Sequence, residues 1–172
     1  GHVVIFGIDA TTRAFIRKLQ GRGIPFVVVT PDHDKALKLQ EDDDLSVVCG
    51  SPTDIEVVTA VRADSARYIV ANLSDPENVN VCLTVRSYCQ TPIAALVDIS
   101  EHAELMHLAG ANQVIPLNRL IGRYLAVRST TCGAMAHILD SFNDLKIAEI
   151  PVHGTPFSGK TLQDAGIRQQ TG

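Results

Sequence analysis

Short apolar runs rich in Val and Ile alternate along this chain with segments of helical periodicity, and this alternation constrains the fold more than any other feature. Parallel strands are covered by helices on both faces, so nearly all of their residues must be apolar. Because right-handed crossovers place such helices on both sides of one sheet, the sequence predicts an α/β fold with a Rossmann-like doubly wound parallel sheet of about six strands. The candidate strands are Val3–Phe6, Phe26–Val29, Ser46–Val48, Arg67–Ala71, Ile93–Val97 and Gln113–Ile115.

The segments between these runs have one apolar face and recognisable ends. Val79, Cys82 and Leu83 follow the i, i+3, i+4 spacing of a helix stripe. This helix begins at Ser74, which can form a capping box with Glu77. A later helix is expected to end at Gly110, because glycine readily adopts the left-handed conformation of a helix C-cap.

After the sixth run the alternation ends, and two amphipathic helices are predicted. The first spans Arg119–Thr131 and the second follows Cys132-Gly133. Stripes that face no sheet need cover from the domain itself or from a partner subunit. The stripes consist of Leu120, Ile121, Tyr124 and Leu125 in the first helix and of Met135, Ile138, Leu139 and Phe142 in the second.

A new strand is predicted at Leu145–Val152, followed by a turn-rich segment with no room for another core. We therefore divide the chain into a sheet domain (1–118), a helix-turn-helix dimerisation or crossover segment (119–143) and the truncated beginning of a second domain (144–172). The chain starts with Gly1-His2 directly before a strand, without an initiating Met, which suggests a piece of a longer protein.

Composition narrows the functional classes. The net charge of −4 gives no broad basic field, which argues against nucleic acid as a partner. The four cysteines form no CxxC pair, as is typical of a reduced, cytoplasmic protein. No apolar run approaches the roughly 18–20 residues that a membrane-spanning helix needs.

The turn after the first strand resembles a degraded dinucleotide-binding motif. In the G-x-G-x-x-G pattern the glycines allow a tight turn and close approach of a phosphate to a helix N-terminus. Here only Gly7 remains, Asp9 stands where a carboxylate repels pyrophosphate, and Thr12 replaces the third glycine. The acidic residue that usually follows the second strand is displaced to Asp32, behind Thr30. Three alternatives therefore remain: the turn binds a dinucleotide, it binds a mononucleotide, or it binds no ligand. In the last case Gly7 serves only as a turn residue.

Any ligand is expected at the carboxyl ends of the strands. Asn72 and Asn78 can donate hydrogen bonds to ribose or phosphate. Arg13 can balance the charge of Asp9 or contact a phosphate. The candidate ligand-binding residues are Gly7, Ile8, Asp9, Thr11, Thr12, Arg13, Thr30, Asp32, His33, Gly50, Ser51, Ala71, Asn72 and Asn78.

Beyond the first turn, a series of short motifs resembles the RCK family (TrkA-N type), the regulators of K⁺ conductance. The motifs occur in the family's order: Gly50-Ser-Pro-Thr-Asp54, then Ser74-Asp-Pro-Glu-Asn78, then Leu108-Ala-Gly-Ala-Asn-Gln-Val-Ile-Pro116. The resemblance covers about residues 2–142, and the tail resembles the opening of the family's C-terminal subdomain. The chain departs from the family at the glycine turn, after the second strand, and at Ser51, which replaces the usual Asp.

The resemblance implies a cytoplasmic regulatory domain that dimerises through the helices after the sheet, with Leu120, Tyr124, Met135, Ile138, Leu139 and Phe142 at the interface. Such dimers typically stack into a ring beneath a K⁺ channel pore, with an octamer as one expected assembly, or attach to a K⁺ transporter. The implied ligand is NAD or an adenine nucleotide. Ca²⁺ or another divalent cation is a weaker expectation, with Asp98 as a candidate ligand.

Several other patterns are weaker. Gly154–Thr161 matches the spacing of a phosphate-binding P-loop, but Gly166 ends the segment after it too soon for a full helix. Two groups contain residue types that bind metals, but neither provides three well-spaced ligands: His102, Glu104 and His107, and Cys132 with His137. The acidic run Glu41–Asp44 could attract Ca²⁺.

Two competing functions remain at this stage. One is a fragment of an NAD(P)-dependent oxidoreductase that lacks its substrate domain, which the poor glycine motif disfavours. The other is a structural RCK module that has lost its ligand, which Asp9, Thr12 and Ser51 favour.

Overall fold

The computed structural model describes residues 1–41, 45–130, 137–142, 145–149, 152–153, 156–161, 164 and 166. The chain divides into two compact units, Gly1–Arg119 and Leu120–Gly172. The elements, in chain order, are β1 (Val3–Phe6), α1 (Ala10–Gln20), β2 (Phe26–Thr30), α2 (His33–Glu41), β3 (Val47–Cys49), α3 (Ile55–Ala60), β4 (Tyr68–Ala71), α4 (Asp75–Tyr88), β5 (Ile93–Val97), a 3₁₀ turn (Ser100–His102), α5 (Ala103–Leu108), β6 (Gln113–Pro116), α6 (Leu117–Thr130), β7 (His137–Phe142) and β8 (Leu145–Glu149).

The first six strands form one sheet in the spatial order β3-β2-β1-β4-β5-β6, and all neighbouring pairs are parallel. The predicted Rossmann-like, doubly wound sheet is therefore confirmed, with strand ends that agree or differ by one residue. Among the described residues, no helix is long and apolar enough to cross a bilayer.

The two faces of the sheet contribute to two separate apolar cores. Successive side chains of a strand point to opposite faces. In β1, Val4 and Phe6 pack into one core and Val3 and Ile5 pack into the other. All four are buried, because helices cover both faces. This double burial explains why the strands appear in the sequence as continuous apolar runs.

Gly110 ends the last helix before β6, as predicted. Its φ of +108° lies in the region that glycine tolerates, and a Cβ there would overlap the Arg86 side chain. Arg86 in turn donates hydrogen bonds to the Gly110 carbonyl at 2.9 Å and to the Thr91 carbonyl at 2.8 Å. The guanidinium therefore joins the end of α4 to the loop before β5 and to the loop before β6.

The second predicted helix after the sheet is wrong at its C-terminal half. His137–Phe142 forms strand β7, which pairs antiparallel with β8. Ile138, Leu139 and Phe142 therefore belong to a strand, and Met135 lies outside the described residues. The helical spacing of these residues was misleading because cross-strand pairing outweighed the local period. β7 ends at Phe142 and its partner β8 begins at Leu145, so the two paired strands are neighbours in the sequence.

Candidate functional site

The centre of the main sheet contains a topological switch point. β1 and β4 lie side by side, with Phe6 paired to Ala71. From β1 the chain winds outward through β2 to β3, and from β4 it winds outward through β5 to β6. The loops that follow β1 and β4 therefore diverge and leave a crevice at the carboxyl edge, where open α/β sheets bind their ligands.

Gly7 fits tightly against the end of β4 in this crevice. Its φ is +88°, and an added Cβ would overlap the Asn72 backbone and the Leu73 side chain. The Gly7 N–H donates to the Val29 carbonyl at 2.9 Å, and the Asn72 N–H donates to the Phe6 carbonyl at 2.8 Å. The backbone conformation and the close contact both require glycine here. Residues with a side chain are excluded by the fold itself, independently of any ligand.

Asp9 forms the N-cap of α1. Its carboxylate accepts a hydrogen bond from the Thr12 N–H at 2.8 Å, and the Thr12 hydroxyl accepts one from the Asp9 N–H at 2.8 Å. Burial raises the pKa of the Asp9 carboxyl, but the Thr12 N–H, the nearby Asn72 amide and the Thr12 hydroxyl lower it more, so the pKa lies below its ordinary value. Asp9 is therefore a fixed negative charge at the helix N-terminus.

Asn72 follows β4 and faces the same turn. Its side-chain amide is close enough to lower the pKa of Asp9. Nevertheless, its Nδ2 atom is buried and makes no hydrogen bond of acceptable geometry to any described residue. Buried donors are nearly always satisfied in native proteins. A nucleotide oxygen in the crevice fits this unsatisfied donor.

The end of β2 differs from that of a typical dinucleotide site. Thr30 is buried, and its hydroxyl accepts a hydrogen bond from the Asp32 N–H at 3.3 Å. Asp32 directly precedes His33, the first residue of α2. Its carboxylate accepts a hydrogen bond from the Lys35 N–H at 3.0 Å. The displaced acidic residue therefore caps α2. The sequence showed its displacement from the end of β2 but not this structural role.

Gly50 and Ser51 lie at the end of β3. The Gly50 N–H donates to the Thr30 carbonyl at 3.0 Å, and a Cβ on Gly50 would contact the Val57 side chain at 2.5 Å. The exposed Ser51 hydroxyl pairs with the Thr53 hydroxyl at 2.9 Å. Gly50 thus keeps the β3–α3 turn close to α3, and Ser51 stabilises the turn itself.

Asn78 was predicted as a ligand donor, and the structure corrects this. It is fully buried, and both of its amide hydrogens are used, in bonds to the Leu73 carbonyl at 3.1 Å and the Leu96 carbonyl at 2.8 Å. Its Oδ1 accepts the Leu73 N–H at 2.9 Å. Asn78 has no donor left for a ligand, and it holds the β4–α4 loop against β5.

The other predicted residues of the β1–α1 segment divide into core and surface. Ile8 and Thr12 are buried, as is Ala71 in β4. Thr11 is half-buried in the first turn of α1. Arg13 lines a cavity of about 290 Å³ with Ile16, Arg17, Gln20 and Leu45.

A buried carboxylate beside the crevice was missed. Asp75, the first residue of α4, accepts hydrogen bonds from the Asp98 N–H at 2.9 Å, the Ile99 N–H at 3.2 Å and His102 Nδ1 at 2.7 Å. Burial raises the pKa of Asp75, but these donors lower it more, so its pKa lies below its ordinary value. The sequence signal was the acidic residue directly after the Ser74 cap, within the motif Ser74-Asp-Pro-Glu-Asn78, to which no hydrogen-bond partner had been assigned.

The structure does not assemble the metal candidates. Asp98 is exposed after β5, and the described residues include no group of three or more His, Cys, Asp or Glu side chains able to hold a metal ion. His102 contacts Asp75, and His107 Nδ1 contacts the Ala111 carbonyl at 3.1 Å. Cys132, the Asp42–Asp44 part of the acidic run and Gly154-Thr155 of the P-loop-like segment lie outside the described residues.

This strand order, with a glycine turn after β1 and a crevice at the switch point, defines a Rossmann-type domain. Within that class, the chain belongs to the TrkA-N domain family, whose model matches residues 3–117. The resemblance inferred from the short motifs is therefore confirmed.

The relatives are proteins of potassium transport. The Trk system potassium uptake protein TrkA homolog of Methanothermobacter thermautotrophicus is 27% identical over 95% of this chain and 76% of that protein. Potassium channel protein 1 of Methanocaldococcus jannaschii is 22% identical over 99% of this chain and 53% of that protein. The chain thus spans about half the length of the second relative.

Two solved structures are more similar in sequence. The GsuK channel bound to NAD is 62% identical, with a TM-score of 0.81 over 99% of this chain and 31% of that chain. GsuK bound to ADP is 59% identical, with a TM-score of 0.74 over 76% of this chain and 35% of that chain. The chain therefore corresponds to about a third of the GsuK polypeptide.

Asp75 and its three donors, the Asp98 N–H, the Ile99 N–H and His102 Nδ1, form a cluster that generates a stability prediction. Asp75→Asn replaces a buried carboxylate with a neutral amide, which is a weaker acceptor for the donors around it. The free energy of unfolding at pH 7 therefore falls by about 2 kcal/mol. The folded-state pKa of Asp75 is lowered, so its stabilisation is complete above the unfolded-state pKa and is lost as pH falls through the folded-state value. The difference between the two proteins should therefore shrink below about pH 4.

Urea unfolding measured between pH 3 and pH 7 checks this prediction. Asp98→Asn, the same substitution at an exposed site next to the cluster, is the control and should change stability by less than about 0.5 kcal/mol. Equal stability of Asp75→Asn and the unmodified chain at pH 7 would contradict the assignment.

Proposed function

We propose that this chain is a nucleotide-sensing regulatory domain of a potassium channel or K⁺ transport system and that it catalyses no reaction itself. The observation that carries this proposal is Asn72 Nδ2, a donor at the switch point that is buried without a hydrogen-bond partner among the described residues. This donor suits a small ligand with oxygen acceptors. The potassium-channel and TrkA relatives supply the regulatory context.

The ligand proposed for the crevice is NAD or ADP. Structures of the similar GsuK protein are described as bound to each of them. In this chain, Gly7 and Asn72 flank the position of the phosphates, and Thr30 and Asp32 lie on the side where a Rossmann site holds a ribose. No direct carboxylate contact to the ribose is expected, because Asp32 is used as a helix cap.

Regulation requires that the ligand bind two conformations with different affinity. The loops after β1 and β4 both contact the crevice and lead directly into α1 and α4. A ligand that bridges these loops therefore favours the arrangement in which they are close together. We place the domain on the cytoplasmic side of the membrane, where this arrangement biases a pore or transporter attached to it.

A module that only supports assembly is the second candidate. Asp9 favours it, because its carboxylate already caps the helix N-terminus that would otherwise bind a phosphate. Nucleotide binding separates the two functions.

Thermal unfolding with NAD, ADP and adenosine tests the sensing function. A ligand that binds only the folded chain, at about 100 times its Kd, should raise the Tm by about 5–10 °C. Asn72→Ala should abolish most of this rise relative to its own ligand-free Tm, because it removes the buried Nδ2 donor. Asn80→Ala, at an exposed position of α4, is the matched control and should preserve the rise.

A folded sample whose Tm no nucleotide changes would exclude sensing by this module and leave the assembly function. A rise that Asn72→Ala and Asn80→Ala both preserve would place the ligand elsewhere.

Dimerisation through α6 is part of the proposal. Leu120, Ile121, Tyr124 and Leu125 lie on one stripe of this helix and are each about half-exposed or more. A second copy of the chain can cover the stripe with its own, as in an isologous interface. The predicted contributions of Met135, Ile138, Leu139 and Phe142 stay predictions.

Charge in this stripe should dissociate the dimer. Leu120→Glu/Tyr124→Glu places two carboxylates in an apolar interface, which is costly without partners. Light scattering after size exclusion should show a dimer for the unmodified chain and a monomer for the double variant. Arg123→Glu, on the same helix, is the control and should remain a dimer. A monomeric unmodified chain at about 100 μM would contradict this interface.

A further inference from the structure

Asp9 occupies the second position of the glycine turn, at the N-terminus of α1. Asp9 has φ −142° and ψ −166°, an extended conformation that requires no glycine. Its carboxylate accepts the Thr12 N–H at 2.8 Å and the Thr12 hydroxyl at 3.1 Å. One of the N–H groups that a helix N-terminus offers to an anion is therefore already occupied by a residue of the chain.

The charge of Asp9 is permanent at neutral pH. The groups around the carboxylate are donors that favour its ionised form, and they outweigh the effect of burial on its pKa. Asp9 as a whole is nevertheless exposed at the edge of the crevice. A phosphate that approaches the start of α1 therefore meets a fixed negative charge beside Gly7.

The groups that hydrogen-bond the Asp9 carboxylate are neutral and leave its charge in place. Thr12 is neutral, and its hydroxyl and N–H are both engaged with Asp9. Arg13 lines the cavity beside Ile16 and Arg17, along the side of α1. A helix N-terminus attracts anions through a partial positive charge of about half a unit, and one carboxylate at the N-cap offsets it.

We propose that Asp9 is a specificity-determining residue that ranks adenine nucleotides by the negative charge of their phosphates. The site accepts the pyrophosphate of NAD, which has no terminal phosphate, in preference to ADP, and ADP in preference to ATP. This inference rests on the proposed nucleotide-binding function. It assigns to Asp9 a task that the ordinary glycine at this position cannot perform, namely selection against the more highly charged ligands.

Asp9→Asn isolates the charge. Asparagine is as good an N-cap as aspartate, so α1 keeps its cap and only the charge is lost. Calorimetry in metal-free buffer with EDTA, at low salt, should compare adenosine, NAD, ADP and ATP. We expect the variant to bind ADP about 10-fold more tightly than the unmodified chain, with a larger gain for ATP, a smaller gain for NAD and none for adenosine.

Salt and a matched variant give two further readouts. Raising NaCl from about 0.05 to about 0.5 M should reduce the difference between the unmodified chain and Asp9→Asn, because exposed charges are screened. Asp54→Asn replaces the N-cap of α3, whose carboxylate accepts the Glu56 N–H at 2.9 Å. This control makes the same change at another helix cap and should leave the order of affinities unaltered.

The outcomes separate the inference from the function on which it rests. Nucleotide binding with the same order and strength in Asp9→Asn and the unmodified chain would overturn the role of Asp9 and retain nucleotide sensing. Weaker binding by Asp9→Asn would also overturn it, by making Asp9 a ligand contact. Binding by the variant alone would support the inference and exclude sensing by the natural chain. No binding by either protein would overturn both.

Discussion

The contact between Gly7 and the backbone of Asn72 is the constraint on which the rest of the carboxyl edge depends. It joins the ends of β1 and β4, the two strands from which the chain winds outward in opposite directions. A side chain at Gly7 would force these ends apart. The turn before α1 and the loop before α4 would then no longer be in contact, and the crevice between them would change shape. The same glycine thus determines the local fold and the space available to a ligand.

Around this contact, several polar residues serve the fold first. Asp9 and Asp32 cap helices, and Asn78 and Asp75 fasten the loop after β4 to β5 and to the segment that follows it. These hydrogen bonds hold the loops at the carboxyl edge of the sheet. Asn72 is different, because its buried amide nitrogen has no partner among the described residues. That difference is why we assign Asn72, rather than Asn78, to the ligand.

The sheet was predictable because burial on both faces leaves a direct record in sequence, namely runs such as Val3–Phe6. The position of the crevice followed from topology alone. The roles of Asn78 and Asp75 did not, because their partners lie far along the chain: Leu96 is 18 residues from Asn78, and His102 is 27 residues from Asp75. Strand β7 was missed for a related reason, since its partner strand, and not its own period, decides its conformation.

The central claim is that a nucleotide binds in the crevice between the loops after β1 and β4. Two-dimensional ¹H–¹⁵N NMR of the labelled chain, titrated with NAD and separately with ADP, tests it most directly. The account predicts saturable shifts of the amide resonances of Gly7, Asp9, Asn72 and Leu73, while Gly23 and Arg67, which precede β2 and β4 at the opposite edge, stay unchanged. Shifts concentrated at that opposite edge, or a folded spectrum that neither nucleotide changes, would contradict it.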